Sequence, residues 1–175
     1  MGKWVALYSQ TGSELFQVCE QLRRFPDRVF TNNPNTNKIG SRFATHKDIM
    51  SWLRRHLEPG DIVTLHGYLR IIPSDVLEIG AKFYNGHPGF VPAYPELKGL
   101  NPQDKVLAEP EKYNIVGSVI HEVTDDVDGG KVLLARAEKW FADEKNADKL
   151  YPKLHAISVT LWVDFLKEVF RGQAN

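Results

Sequence analysis

The sequence predicts an α/β fold: a mostly parallel central sheet that acquires an antiparallel hairpin and carries flanking helices. Three observations predict it. Short apolar runs at 3–9, 28–31, 61–66 and 81–85 alternate with segments of helical periodicity, the pattern of strand, crossover and strand that builds parallel sheets. Two longer runs rich in β-branched residues, 114–123 and 131–140, follow one another across a turn-forming connection, as in a hairpin. The last segment steps by three or four through Leu150, Leu154, Ile157, Leu161 and Phe165, so one face of a long helix must lie on the sheet.

In chain order, the first strand is broken by Gln10-Thr11-Gly12, and Leu15, Val18, Cys19 and Leu22 then recur at helical spacing. Thr11 and Glu14 have the spacing of a capping box, in which Glu14 folds back on the helix start and competes with any phosphate for its N–H groups. After the strand at 28–31, the run Asn32-Asn33-Pro34-Asn35-Thr36-Asn37 is rich enough in turn formers to be an exposed loop. Thr45 with Asp48 opens a helix that carries Ile49, Trp52, Leu53 and His56 on one face, and Pro59-Gly60 closes it. The nearly continuous apolar run at 61–66 suits a strand covered on both sides. A short helix at 74–79 and a strand at 81–85 follow, and then 87–102, whose four prolines and two glycines call for a shaped loop.

A chain of 175 residues with 42% hydrophobic content supports one full core, so one domain spanning 1–175 is expected. Lys plus Arg and Asp plus Glu both number 22, and without a basic stripe neither nucleic acid nor an anionic membrane is an expected partner. Arg23-Arg24 and Arg54-Arg55 fall on outer helix faces, where solvation accounts for them. Cys19 is alone, which excludes an internal disulfide and favours a reducing compartment, with the cytoplasm as the expectation. No run approaches the roughly 18 apolar residues of a spanning helix. His66, His87 and His121 lie at neighbouring strand ends, but their spacing carries no metal signature and no metal is expected.

The chemistry concentrates in Asn85-Gly86-His87-Pro88. Residues two apart on a strand share a face, and a residue before proline is held extended, so Asn85 and His87 are expected to point together. Gly86 leaves their backs open. Strand ends of this kind are where α/β sheets bind ligands. An amide N–H and an imidazolium are both donors, suited to one developing oxyanion. A charged imidazole needs a carboxylate partner, and Asp128, ahead of Gly129-Gly130, is the candidate. Read from the residues alone, the same pattern also describes a turn cap, an ordinary histidine and a hairpin closure.

From Asp61 onward the chain resembles the folate-dependent formyltransferases, in particular their glycinamide ribonucleotide branch. Three pieces stand in family order: His66-Gly67-Tyr68-Leu69-Arg70-Ile71-Ile72, then Asn85-x-His87-Pro88 with Pro92-x-Tyr94-Pro95, then His121-x-Val123-Thr124-Asp125-x-x-Asp128-Gly129-Gly130. The resemblance implies a Rossmann-like formyltransferase fold, Asn85, His87 and Asp128 as catalytic residues, and 10-formyltetrahydrofolate as cosubstrate. It further implies folate contacts at Leu65, Leu69, Arg70, Ile71, Ile72, Leu77, Val123 and Asp125, and acceptor contacts at Gly12, Ser13, Gly86 and Pro88. His121 is expected beside Asp128. The family's phosphate loop is here Gln10-Thr11-Gly12-Ser13-Glu14, and its acceptor-contacting glutamate in the last helix falls near Ser158. The donor half is therefore kept and the acceptor half altered, so the small amine acceptor is glycinamide ribonucleotide or a different amine. The same three residues also suit a 10-formyltetrahydrofolate hydrolase, and the fold alone would suit a folate-binding protein without turnover.

Overall fold

The computed structural model describes residues 2–36 and 40–174. Its first strand, β1 (Trp4–Tyr8), is fully buried, and the helix α1 (Ser13–Leu22) leads from it to β2 (Arg28–Thr31). A two-residue strand, β3 (Arg42–Phe43), and helix α2 (His46–His56) come next. They are followed by β4 (Ile62–His66), the single-turn helix α3 (Ser74–Leu77) and β5 (Lys82–His87). Helix α4 (Pro102–Ala108), the strands β6 (Ile115–Glu122) and β7 (Val132–Lys139), and the long helix α5 (Ala147–Ala174) complete the chain.

The seven strands form one sheet in the order β3-β2-β1-β4-β5-β6-β7. Pairings from β3 to β5 are parallel, and β6 joins β5 antiparallel before turning back into β7. Strand alternation sorts the side chains into two cores. Trp4, Ala6 and Tyr8 pack with Leu15 and Val18 of α1 and Trp162 and Leu166 of α5. Val5 and Leu7 pack on the other face with Ile49 and Leu53 of α2 and Val76 of α3. A third cluster, including Val91, Leu97, Val106, Trp140 and Leu150, anchors the segment after β5 beneath the hairpin.

Several local expectations are revised. β5 runs on to His87, because its pairing with both β4 and β6 extends through Gly86, so Asn85 and His87 are strand residues. The stretch 87–102 is more regular than its prolines suggest, with a 3-10 turn at Pro95–Leu97 and α4 beginning on Pro102, a first-turn position that tolerates proline's missing N–H. Helix α2 is capped as expected, Thr45 accepting the Asp48 N–H at 3.2 Å. His56 leaves the core face, is exposed and stacks on Trp52 at 4.6 Å. In the asparagine-rich loop, Asn32, Asn33 and Thr36 are half-buried, and Asn37 lies outside the described residues.

Candidate active site

Strands β4 and β5 end side by side, and a cavity of about 860 Å³ opens beyond them. Its walls come from the start of α1, the loop after β4, the segment around Gly99, the turn between β6 and β7, and the first half of α5.

Asn85 is the register partner of His121 across the β5–β6 pair. Directly opposed residues share a face, and Asn85 Nδ2 donates to His121 Nε2 at 3.2 Å. Asp128 arrives from the β6–β7 turn with φ of 50°, a left-handed conformation that aspartate adopts more readily than most residues. Its Oδ1 lies 3.1 Å from His121 Nε2 and 3.5 Å from Asn85 Nδ2. Its Oδ2 accepts the Gly99 N–H at 2.9 Å and stands 3.4 Å from His87 Nδ1. Four groups from three segments, β5, β6 and the loop at Gly99, thus meet around one carboxylate.

The proton positions follow from the remaining partners. His87 Nε2 is 2.7 Å from the Leu97 carbonyl, which can only accept, so Nε2 carries the hydrogen and the Nδ1 lone pair of the neutral ring faces Asp128. His121 Nδ1 is likewise 2.8 Å from the Glu122 carbonyl. Each imidazole therefore turns toward Asp128 the nitrogen that would take a second proton. Burial draws the His87 pKa below its ordinary value, outweighing the upward pull of Asp128 and Leu97. Burial would raise Asp128, yet His121 and His87 beside its oxygens and the Gly99 N–H hold it below the usual carboxylate value. The free protein thus favours a neutral His87 beside an ionised Asp128, rather than the charged imidazole expected from the sequence.

Of the residues expected on the donor side, Leu65, Leu69, Arg70, Ile71, Ile72, Val123 and Asp125 all line the cavity. Leu65 and Ile72 are buried, while Leu69 and Ile71 are 59% and 64% exposed. Leu77 does not line it: it sits on α3 against the α2-side core, and Ile72 forms the wall there instead. Gly12, Ser13, Gly86 and Pro88 also border the cavity. A Cβ on Gly86 would lie 2.6 Å from Trp162 Nε1, so the indole of α5 occupies the room a side chain would need.

The expected Thr11–Glu14 capping box is not formed. Helix α1 starts from Gly12 at φ of 74° without a side-chain cap. Glu14 instead turns inward: Oε1 is 3.0 Å from His66 Nδ1, and Oε2 accepts Ser158 Oγ–H at 2.8 Å. The capping spacing is present, but Glu14 is also four residues before Val18, on the buried side of α1, and an unpaired His66 would be costly there. The other His66 nitrogen is 3.0 Å from Thr64 Oγ1, which accepts the Trp4 indole N–H at 2.9 Å. Burial raises the Glu14 pKa, but the His66 and Ser158 hydrogen bonds and the neighbouring histidine charges carry it below its ordinary value. Glu14 is an anion in the cavity wall. That helical position was the readable signal for it, whereas the arrival of Leu100, Asp104, Tyr151 and His155 at the same cavity had none.

A family model described as formyl transferase matches residues 3–166. Phosphoribosylglycinamide formyltransferase of Escherichia coli is 33% identical over 101 residues, covering 55% of this chain and 45% of that protein. The Bacillus subtilis protein of the same name is 26% identical over 122 residues, covering 69% and 58%. The chain spans about half the length of these curated relatives. Among solved structures, phosphoribosylglycinamide formyltransferase of Streptococcus pneumoniae superposes with a TM-score of 0.79 at 23% identity over 97% of this chain and 99% of that one. A sugar N-formyltransferase from a Shewanella species gives 0.71 at 20% identity over 97% and 71%. At such identities the likeness of structures speaks for the fold. With a match that runs through both sheet cores and every segment bordering the cavity, the chain belongs to the formyl transferase family.

Proposed function

We propose that the protein transfers a formyl group from 10-formyltetrahydrofolate to the primary amine of a small molecule. The observation that carries this reading is the meeting of Asn85, His87 and Asp128, with Asp128 3.5 Å from the amide and 3.4 Å from the imidazole, at the edge of a cavity with an apolar wall. That wall, with Leu65, Ile72 and Val123, suits a flat heterocycle, and about 860 Å³ is ample for a cosubstrate and a small acceptor.

The amine nitrogen adds to the formyl carbon, and the carbonyl π electrons move onto oxygen. The Asn85 amide N–H donates to that oxyanion. The proton shed by the amine passes to His87 Nδ1, whose lone pair is free in the neutral ring and whose cationic form Asp128 then stabilises. The protonated ring adds a second charge-assisted stabilisation of the oxyanion. Collapse of the intermediate breaks the bond to N10, which takes up that proton, releasing tetrahydrofolate and the N-formyl product.

The test mixes the protein with 10-formyltetrahydrofolate and a panel of amines and follows tetrahydrofolate by absorbance. Release that depends on an amine is the expected result. Release at the same rate without any amine identifies a hydrolase, and donor binding with no release overturns the proposal.

A further inference from the structure

We propose that the acceptor is a primary amine without a phosphate group, received by the Glu14 carboxylate on the α1–α5 side of the cavity. The inference rests on the formyl-transfer reading and adds the substrate class.

The sheet itself divides the cavity. Leu65 faces the α2–α3 layer and belongs to its core. The next residue, His66, faces α1 and α5, with its ring 4.3 Å from that of Trp162. His66 is the register partner of Gly86, so it lies one strand spacing, about 5 Å, from the residue between Asn85 and His87. Whatever Glu14 holds is thereby delivered beside the reacting groups, opposite the apolar donor wall.

Glu14 is built to present charge there. Each oxygen takes one hydrogen bond, from His66 and from Ser158, which leaves further lone pairs on a carboxylate that can accept about four. The His66 side chain is fully covered, while that of Glu14 keeps 26% of its surface, and the carboxylate borders the cavity. An ammonium, with three donors, matches what is left.

The remaining charges argue against a phosphorylated acceptor. Besides histidines and the phenols of Tyr68 and Tyr151, the ionisable side chains on the cavity wall are the carboxylates of Glu14, Asp104, Asp125, Asp126 and Asp128 against one guanidinium, Arg70. Arg70 is in the loop after β4, among the donor-side residues. The start of α1, whose N–H groups would otherwise suit an anion, has Glu14 in its first turn, and its Ser13 N–H is given to Thr11 Oγ1 at 3.3 Å. A phosphate entering on this side meets like charge, and the two groups there that can become cationic, His66 and His155, are already engaged with Glu14 and with Gln17.

The experiment reads binding without turnover. The full chain, alone and with tetrahydrofolate bound, is titrated calorimetrically with two pairs of amines that differ only in phosphate: glucosamine and glucosamine 6-phosphate, and glycinamide riboside and glycinamide ribonucleotide. Inorganic phosphate serves as the competitor. In at least one pair the member without phosphate binds tighter by about tenfold, the effect of bringing a phosphate beside a carboxylate partly screened by water, and inorganic phosphate displaces nothing. Glu14→Gln brings the ratio toward one, and Glu14→Asp, which keeps the charge, preserves selection against phosphate. Tighter binding of the phosphorylated members, no amine binding at all, or a ratio unchanged in Glu14→Gln overturns the inference. Failure of formyl transfer appears separately, as absent tetrahydrofolate release in the turnover assay, and leaves these affinities readable.

Discussion

Asp128 gathers hydrogen bonds and close contacts from a glycine N–H, an amide and two imidazoles, and the behaviour of each neighbour depends on its charge. His87 is buried, and Asp128 is the main influence lifting its proton affinity against that burial. In Asp128→Asn the His87 ring is therefore expected to titrate at a still lower pH, as followed by NMR of the imidazole resonances; an unchanged or higher value contradicts the assignment. Asn85→Ala removes a donor to the proposed oxyanion, and kcat is expected to fall by ~10²–10³ in the formyl-transfer assay. Gly86→Ala forces a methyl group to within 2.6 Å of the buried Trp162 indole. Overpacking of this kind costs about 1–3 kcal/mol, to be read from the urea midpoint. The pairing of Asn85 with His87 was legible in the sequence because strand alternation needs only two residues of spacing. The inward turn of Glu14 was less so, because a first-turn glutamate has two local partners to choose from, and the choice depends on His66, 52 residues away.

At the level of the elements, legibility follows length and periodicity. Helix α5 spans 28 residues, and its apolar steps identify both its existence and its buried face. Trp162 is fully buried in it, between the α1-side core and the end of β5, so Trp162→Ala is expected to cost about 3–5 kcal/mol in chemical denaturation. Helix α2 announces itself through Thr45 and Asp48, and Thr45→Ala is expected to lose about 1 kcal/mol in the same measurement. By contrast, β3 has two residues and α4 seven, too few for a period to show. β3 exists because the edge of β2 offers backbone partners to Arg42 and Phe43, a fact that is not local to those residues.

For the molecule as a whole, formal charge balances at zero, so overall self-repulsion is small near neutrality and a few buried groups set the response to pH. His87 has a folded pKa below its ordinary 6.5, so the unfolded chain binds the proton first as pH falls, and stability is lost from about that value down through the lowered one. Asp128 and Glu14 are depressed from 3.8 and 4.5; the stability they contribute is present above those values and lost as pH falls through the lowered ones. All three act in one direction. Urea midpoints measured from pH 8 to pH 3 are expected to decline in two stages, the first below about 6.5 and absent in His87→Gln. No helix among the described residues is long and apolar enough to cross a membrane.

Alternating apolar runs, capping spacings and a helical stripe were enough to specify an α/β sheet with a hairpin, because each is a periodicity that the backbone imposes within a few residues. The order Asn85, His87, Asp128 likewise marked the neighbourhood of the cavity in one dimension. Contacts bridging distant segments were another matter: the charge state of His87, the inward Glu14 and the absence of Leu77 from the cavity wall all depend on burial and on partners tens of residues away. Burial and pairing energies act on distance in space, and that distance exists only once the sheet has closed between its two layers of helices.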